Sequence, residues 1–304
     1  MHPGQLHVDE QIARRLLGDQ FPQWRDEPVR HVPGAGTVNA IFRVGEHLSA
    51  RFPLEPADTA ELSAQLTAEA AAMTEFAAAC PVPAPVPVAQ GAPGEDYPQP
   101  WSIQSWVPGD VATPDGLARS DVFARDLVGL LGALRAADTR GRRFRGSGRG
   151  GDLRDSDAWI EHCLEQSIDL LPVDELLRLW MLLRDLPVSG PDRMTHGDLT
   201  PANLLVRGER LAGVLDTGGF AAADPSLDLV AAWHLLDAEA RGILRSGLDA
   251  TEIEWWRGAA WAFQQAMGLV WYYRESNPDM SALGRSTLHR ILSDPEIASG
   301  RTPA

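Results

Sequence analysis

Met194-Thr195-His196-Gly197-Asp198-Leu199-Thr200-Pro201-Ala202-Asn203-Leu204-Leu205-Val206, followed closely by Leu211-Ala212-Gly213-Val214-Leu215-Asp216-Thr217-Gly218-Gly219, sets His, Asp and Asn among short apolar runs. Leu204-Leu205-Val206 and Gly213-Val214-Leu215 are short apolar runs, and Arg207-Gly208-Glu209-Arg210 is a polar turn between them. That is the pattern of a hairpin, and it would hold Asp198, Asn203 and Asp216 at its two ends. Two carboxylates and an amide at a strand-loop edge suit a hard cation. Mg²⁺ takes a few protein oxygens and completes its coordination with water and phosphate. One carboxylate is then left to orient or deprotonate an attacking hydroxyl. Taken singly, Asp198 reads as a turn cap and Asn203 as the first residue of a strand. The ordered set of three is what argues for chemistry.

The order and spacing match the protein-kinase signature H-R-D-x-x-x-x-N followed by D-F-G. Here the first part reads His196-Gly197-Asp198-Leu199-Thr200-Pro201-Ala202-Asn203. With Gly in place of Arg, the Pro that follows, and the later Ala223-Asp224-Pro225-Ser226-Leu227-Asp228-Leu229, the chain resembles the aminoglycoside phosphotransferase family, which includes macrolide phosphotransferases. The resemblance implies an α+β, protein-kinase-like bilobal fold. A small N-lobe of β-sheet plus helix (residues 1–106) would bind nucleotide, and a larger, mostly helical C-lobe (residues 107–304) would carry catalysis and the substrate. It implies Asp198 as catalytic base, Asn203 and Asp216 as ligands of Mg²⁺, and ATP or GTP as donor of a γ-phosphoryl group. The acceptor it implies is a hydroxyl of a small molecule, first of all an aminoglycoside-type antibiotic, with resistance by inactivation. A macrolide, a peptide antibiotic or a metabolite alcohol are alternative acceptors. A nucleotide-binding pseudokinase is the alternative of a different class. A metal-dependent hydrolase built on His196 and Asp198 lacks further ligands at suitable spacing, so His196 reads as a brace for its loop.

Composition is compatible with this. The chain has 304 residues, 44% hydrophobic and 23% charged, ordinary values for a globular protein able to bury a large core. The net charge of −15 disfavours nucleic-acid and anionic-membrane partners and suits a cationic small-molecule acceptor or plain solubility. There is no lysine; all 27 basic residues other than histidine are arginine. Cys80 and Cys163 form no metal or disulfide pattern, and a reducing cytoplasm is the expected compartment. The N-terminus lacks a signal-peptide pattern. The most apolar run, residues 258–270, is short and interrupted by Gln264 and Gln265.

Toward the N-terminus, helical spacing predicts an amphipathic helix over 8–17. Strands are expected at 29–32, 39–44 and 48–52, with Gly34 and Gly36 in a flexible turn whose amides can approach phosphate. Kinases carry a lysine on the third strand; the matching residue here is Arg51, which can bind phosphate in bidentate fashion, with Arg43 as competitor. The Ala-rich stretch 57–80 is a strong helix by propensity. Its Glu69 resembles the glutamate that fixes the phosphate-binding residue, and Glu61 and Glu75 are alternatives. Residues 81–87, with four prolines, read as an extended edge segment. Ser105, Trp106 and Val107 fall where the resemblance puts the hinge whose backbone pairs with a purine.

Further on, helices are expected at 116–137, 157–171, 173–186, after Asp224 through Leu236, at 251–274 and at 280–292. The Arg- and Gly-rich segment 141–151 reads as a flexible loop. Asp224 before Pro225 is an N-cap, and Asp224 and Asp228 read as supports of the catalytic loop. Adjacent Trp255 and Trp256 are not expected to face the core together, so one is a candidate pocket wall. Thr217 stands where the family has an apolar plug, so packing under that loop must differ, or Phe220 supplies it.

Overall fold

The computed structural model of the chain describes residues 4–33, 38–146 and 148–300. The chain forms two compact units, one of Met1–Ala78, Pro83–Pro108 and Asp216–Gly219, the other of Ala79–Val82, Gly109–Leu215 and Phe220–Ala304.

The first unit opens with α1 (Glu10–Gln20), capped by Asp9 Oδ1, which accepts from the backbone of Gln11 and Ile12. Strands β1 (Val29–His31), β2 (Asn39–Val44) and β3 (Leu48–Pro53) follow, then α2 (Thr59–Ala79), β4 (Pro87–Gly91) and β5 (Trp101–Ser105). The five strands make one antiparallel sheet in the order β1-β2-β3-β5-β4. The proline-rich run thus leads to an edge strand, where a missing N–H costs no ladder bond. Alternation along β2 buries Ala40, Phe42 and Val44. Phe52 stacks on Trp101 at 4.7 Å and meets Phe42 and Tyr97 edge-on. Cross-strand partners share a face, so the pairs Ile41–Arg51 and Arg43–Ser49 put both arginines opposite Phe42 and Phe52.

The second unit contains β6 (Asp110–Val111), α3 (Asp121–Ala136), α4 (Asp157–Gln166), α5 (Val173–Leu183), β7 (Arg193–Thr195), β8 (Leu204–Arg207), β9 (Arg210–Val214) and β10 (Ala221–Ala223). It ends with α6 (Val230–Leu235), α7 (Ala238–Gly247), α8 (Glu252–Tyr272), α9 (Pro278–Leu292) and α10 (Pro295–Ala298). The expected hairpin is β8–β9, joined on its far side by β6, while β7 pairs with β10. Several helices are shorter than their apolar pattern suggests. The one expected to reach residue 171 stops at Gln166, because the N–H groups of Leu170 and Leu171 both turn back to the Ser167 carbonyl. The one expected from Asp224 begins as a 3₁₀ turn, Pro225–Leu229, capped by Asp224, and becomes α-helical only at Val230.

The expectation for Trp255 and Trp256 is overturned: they are 3% and 1% exposed. Helix α8 packs against α4, α5, α6 and α9 and is covered on nearly every side. A helix apolar all round is a buried one, so adjacent tryptophans can both be interior. Trp255 meets Trp233 at 5.4 Å, and Phe263 stacks on Trp180 at 5.8 Å. Neither Trp255 nor Trp256 is a pocket wall. Among the described residues no helix is long and apolar enough to cross a membrane. Both cysteines are free thiols, and burial pushes that of Cys163 up to about 11.

Candidate active site

In the second unit, the chain leaves β7 into the loop carrying His196 and Asp198. Asp228 fixes that loop: its two carboxylate oxygens accept the N–H groups of His196 (2.9 Å) and Gly197 (2.8 Å). Gly197 adopts φ +84°, a conformation glycine takes without a Cβ penalty. His196 Nδ1 accepts the N–H of Asp198, so the ring proton sits on Nε2 and donates to the Leu215 carbonyl at 2.8 Å. The histidine is therefore a brace between the two strand ends. Behind it, Asp224 is buried and accepts from Ser226 N, Arg257 and Trp261 Nε1, so it supports the turn instead of facing a ligand.

Asp198 and Asn203 are brought into direct contact. Asn203 Nδ2 donates to the Asp198 carbonyl (2.8 Å) and to Asp198 Oδ2 (3.0 Å). Asp198 Oδ1 accepts from Gln265 Nε2 at 2.6 Å and Arg149 Nη2 at 3.0 Å, and Arg149 also donates to the Gly197 carbonyl. Burial works to raise the pKa of this carboxyl, but the Arg149 guanidinium, aided by the Gln265 bond, holds it below its ordinary value. The group is a carboxylate at neutral pH and can take a proton only from a strongly activated donor.

The N–H of Leu215 bonds the Asn203 carbonyl at 2.8 Å, and Asp216 is the next residue along the chain. Asp216 has φ +56°, a left-handed conformation uncommon for a residue with a side chain and a form of stored backbone strain. In the first unit Arg51 Nη2 pairs with Asp216 Oδ1 at 3.1 Å. The expected Arg51–Glu69 pair is not formed: Glu69 Oε1 accepts from Gln65 Nε2, one turn earlier on the same helix. The guanidinium is taken by Asp216 instead. Glu69 nevertheless lies on the inward face of α2, in line with buried Leu62, Leu66, Met73 and Phe76, whereas Glu61 is exposed near the helix start. A Cβ on Gly218 would sit 3.2 Å from that of Glu69, so glycine lets the Asp216–Gly219 segment approach α2 closely. Arg43 is committed elsewhere, with its guanidinium over the Trp106 ring at 4.9 Å.

At the end of β5, Ser105 exchanges bonds with Val86 through its N–H and its hydroxyl, and the Trp106 N–H donates to His47. Val107 N–H makes no bond among the described residues. Gly34 and Gly36 lie outside the described residues. Thr217 is buried, as is Phe220.

Three participants escaped the sequence reading: Arg149, Gln265 and His234. Two left a trace. Gln265 interrupts the most apolar stretch of the chain, and His234 sits within the apolar run of α6. A buried polar group needs a partner, and theirs become visible only when α6, α8 and the catalytic loop are assembled.

These features are those of a kinase-like phosphotransferase fold. The chain belongs to the phosphotransferase enzyme family, whose model matches residues 31–263. Among solved structures, the GDP complex of aminoglycoside 2'-phosphotransferase-IIIa is similar at 19% identity and a TM-score of 0.70, covering 97% of this chain and 100% of that one. The GDP and kanamycin complex of an APH(2")-III enzyme is similar at 19% identity and TM-score 0.69, over 95% and 99% of the two chains. Macrolide 2'-phosphotransferase MphH from Brachybacterium faecium is similar at 18% identity and TM-score 0.61, over 92% and 97%. At these identities the likeness is one of fold. No curated protein matches the chain.

Proposed function

We propose that the protein transfers the γ-phosphoryl group of ATP or GTP to a hydroxyl of a small molecule, with an aminoglycoside-type antibiotic as the first candidate acceptor. The observation that carries this reading is Asp198, a carboxylate on a doubly clamped loop, kept ionised and bonded to Asn203. Asp198 orients the acceptor hydroxyl and takes its proton as the oxygen attacks the γ-phosphorus. The bond from that phosphorus to the β-phosphate oxygen breaks, and the nucleoside diphosphate leaves. Most of the acceleration in such a reaction comes from positioning and charge stabilisation.

Asn203 and Asp216 fit a Mg²⁺ ion. Asn203 spends its Nδ2 on Asp198, which leaves its amide oxygen as the free acceptor, and the Asp216 carboxylate is half exposed with one arginine partner. No group of three His, Cys, Asp or Glu side chains placed to hold a metal ion occurs among the described residues. One amide and one carboxylate are still enough for an ion that takes its other oxygens from phosphate and water. When bound, the ion supplies neutralisation of phosphate charge. Arg51 adds positive charge toward the phosphates. In the segment Ser105, Trp106 and Val107, the first two N–H groups are already committed, so Val107 offers its N–H to the purine. In this reading residues 1–106 hold the nucleotide, and residues 107–304 hold the acceptor and the base.

The net charge of −15 supports a cationic acceptor. A second reading, a macrolide or another alcohol with few amines, is favoured by one observation: carboxylates around the catalytic loop already have arginine partners. Asp198 pairs with Arg149, Asp224 with Arg257 and Glu254 with Arg135. A nucleotide-consumption screen with Mg²⁺, both nucleotides, and a panel of aminoglycosides, macrolides and peptide antibiotics tests the reading. Acceptor-dependent turnover lost in Asp198→Ala supports it. Turnover retained in that variant, or absent with every acceptor, counts against it, and the latter favours a nucleotide-binding module without transfer.

A further inference from the structure

Behind Asp198 runs a chain of polar side chains that the proposed chemistry does not use. Gln265 on α8 donates from Nε2 to Asp198 Oδ1 at 2.6 Å, and its Oε1 is 3.0 Å from His234 Nε2 on α6. His234 Nδ1 is 2.7 Å from Thr287 Oγ1 on α9. His234 and Thr287 are fully buried. Three polar groups from three helices are costly to bury unless each is satisfied.

Only one polarity satisfies them all. A carboxylate accepts, so Gln265 must present its NH₂ to Asp198 and its oxygen to His234. An amide oxygen also accepts, so His234 Nε2 must carry the ring proton. Burial holds the His234 pKa down to about 4, so the ring is neutral and Nδ1 is bare. Nδ1 then accepts the Thr287 hydroxyl proton. For the neutral ring the donor order is fixed from Thr287 to the carboxylate.

The two Asp198 oxygens are thereby made unequal. Oδ1 accepts from Gln265 and Arg149; Oδ2 accepts from Asn203 alone among the described residues. An oxygen of a carboxylate has about two lone-pair sites, so Oδ1 is full and Oδ2 keeps one. We propose that Gln265, His234 and Thr287 are positioning residues that lock Asp198 with Oδ1 turned into the helices and Oδ2 presented to the acceptor hydroxyl. This rests on the assignment of Asp198 as the base. It predicts that losing the chain frees rotation of the carboxyl group and degrades turnover more than binding.

The test has two readouts on the full-length protein. The first needs no acceptor: long-range ¹⁵N–¹H NMR of the His234 ring at neutral pH. The wild type should show protonated Nε2 and bare Nδ1. Gln265→Leu, and separately Asp198→Leu, should allow the Nδ1-protonated form, since the polarity is imposed from the carboxylate end. The second is steady-state transfer to kanamycin, gentamicin and a macrolide. Gln265→Leu should lower kcat by up to about 10²-fold, the cost of a misplaced reacting group, with the nucleotide KM within about twofold of wild type, the signature of an interaction used in the transition state. Thr287→Val should fall several-fold and Thr287→Ser should restore it, which keeps the proposal testable should Gln265→Leu not fold. A wild-type His234 protonated on Nδ1, or unchanged kcat in both Gln265→Leu and Thr287→Val of an enzyme that requires Asp198, would overturn the positioning role. An enzyme inactive with all acceptors, or active without Asp198, would sink the base assignment instead, while the NMR result still decides the chain of bonds.

Discussion

Asp198 and Asp216 are both expected to act on the phosphoryl transfer, yet the protein treats them in opposite ways. Asp198 is held by three side-chain donors, from Asn203, Gln265 and Arg149, on a loop whose backbone is clamped by Asp228. Asp216 is half exposed, carries one arginine partner, and sits in a strained left-handed conformation. A base must present one oxygen at a fixed angle to a moving proton, so its freedom is removed in advance. A ligand of Mg²⁺ needs an accessible, exchangeable carboxylate. The carboxylates are similarly exposed, 41% for Asp198 and 53% for Asp216, so what separates them is the number of side-chain donors on the first and the backbone strain at the second.

The contrast breaks most sharply at Asp198. Asp198→Ala should lower kcat by at least about 10³-fold, some 4 kcal/mol of barrier, with nucleotide affinity unchanged by calorimetry. A loss of affinity equal to the loss of rate would place Asp198 in binding instead. Next in size is a pH effect on the interior that backs it. His234 has a folded pKa near 4 against an ordinary 6.5. Depression means that the unfolded state binds the proton first. The stability due to a neutral His234 is therefore complete above pH 6.5 and is lost as pH falls toward 4, by on the order of 3 kcal/mol. His234→Gln should flatten that part of the urea-unfolding profile, and a slope identical to wild type would assign the acid sensitivity to another group.

At Asp216 the expected signs are opposed. Asp216→Gly should relieve the left-handed strain and raise stability by about 1 kcal/mol, while raising the half-saturating Mg²⁺ concentration at least about tenfold, ~1.4 kcal/mol. A variant that is both less stable and unchanged in Mg²⁺ dependence would remove the strain argument and the ligand role together. Two further variants address the arginine question, and the second of them carries the smallest effect. Arg51→Ala should weaken nucleotide binding by about 1.5–3 kcal/mol, as for a lost charged hydrogen bond. Arg43→Ala, whose guanidinium is engaged with Trp106, should change it by less than about 0.5 kcal/mol. Equal losses in the two variants would leave the phosphate contact unassigned.

Much of the fold and of the site is legible in the amino-acid order. The hairpin, the three antiparallel strands β1–β3 and the Ala-rich α2 follow from apolar periodicity and turn residues acting over short distances. The inward placement of Glu69 follows from its seven-residue spacing to Leu62 and Phe76. The sequence misled where a long-range choice entered. The Arg51–Glu69 pair gave way to Arg51–Asp216, a choice between carboxylates 147 residues apart in the chain that spacing along it does not decide. Trp255 and Trp256 are both buried, since a helix surrounded by four others has no exposed face to assign.

By itself, the order His196, Asp198, Asn203 and Asp216 determined the family-level reading, the elements that carry the site and the kind of reaction to look for, because those depend on spacing along the chain. Only the tertiary structure decided which oxygen of Asp198 remains available, that Arg149 sits on it, and that Gln265, His234 and Thr287 stand behind it. Those residues lie far apart in sequence. Their hydrogen bonds have a direction and a length of about 3 Å, so no pattern along the chain can specify them until α6, α8 and α9 have packed together.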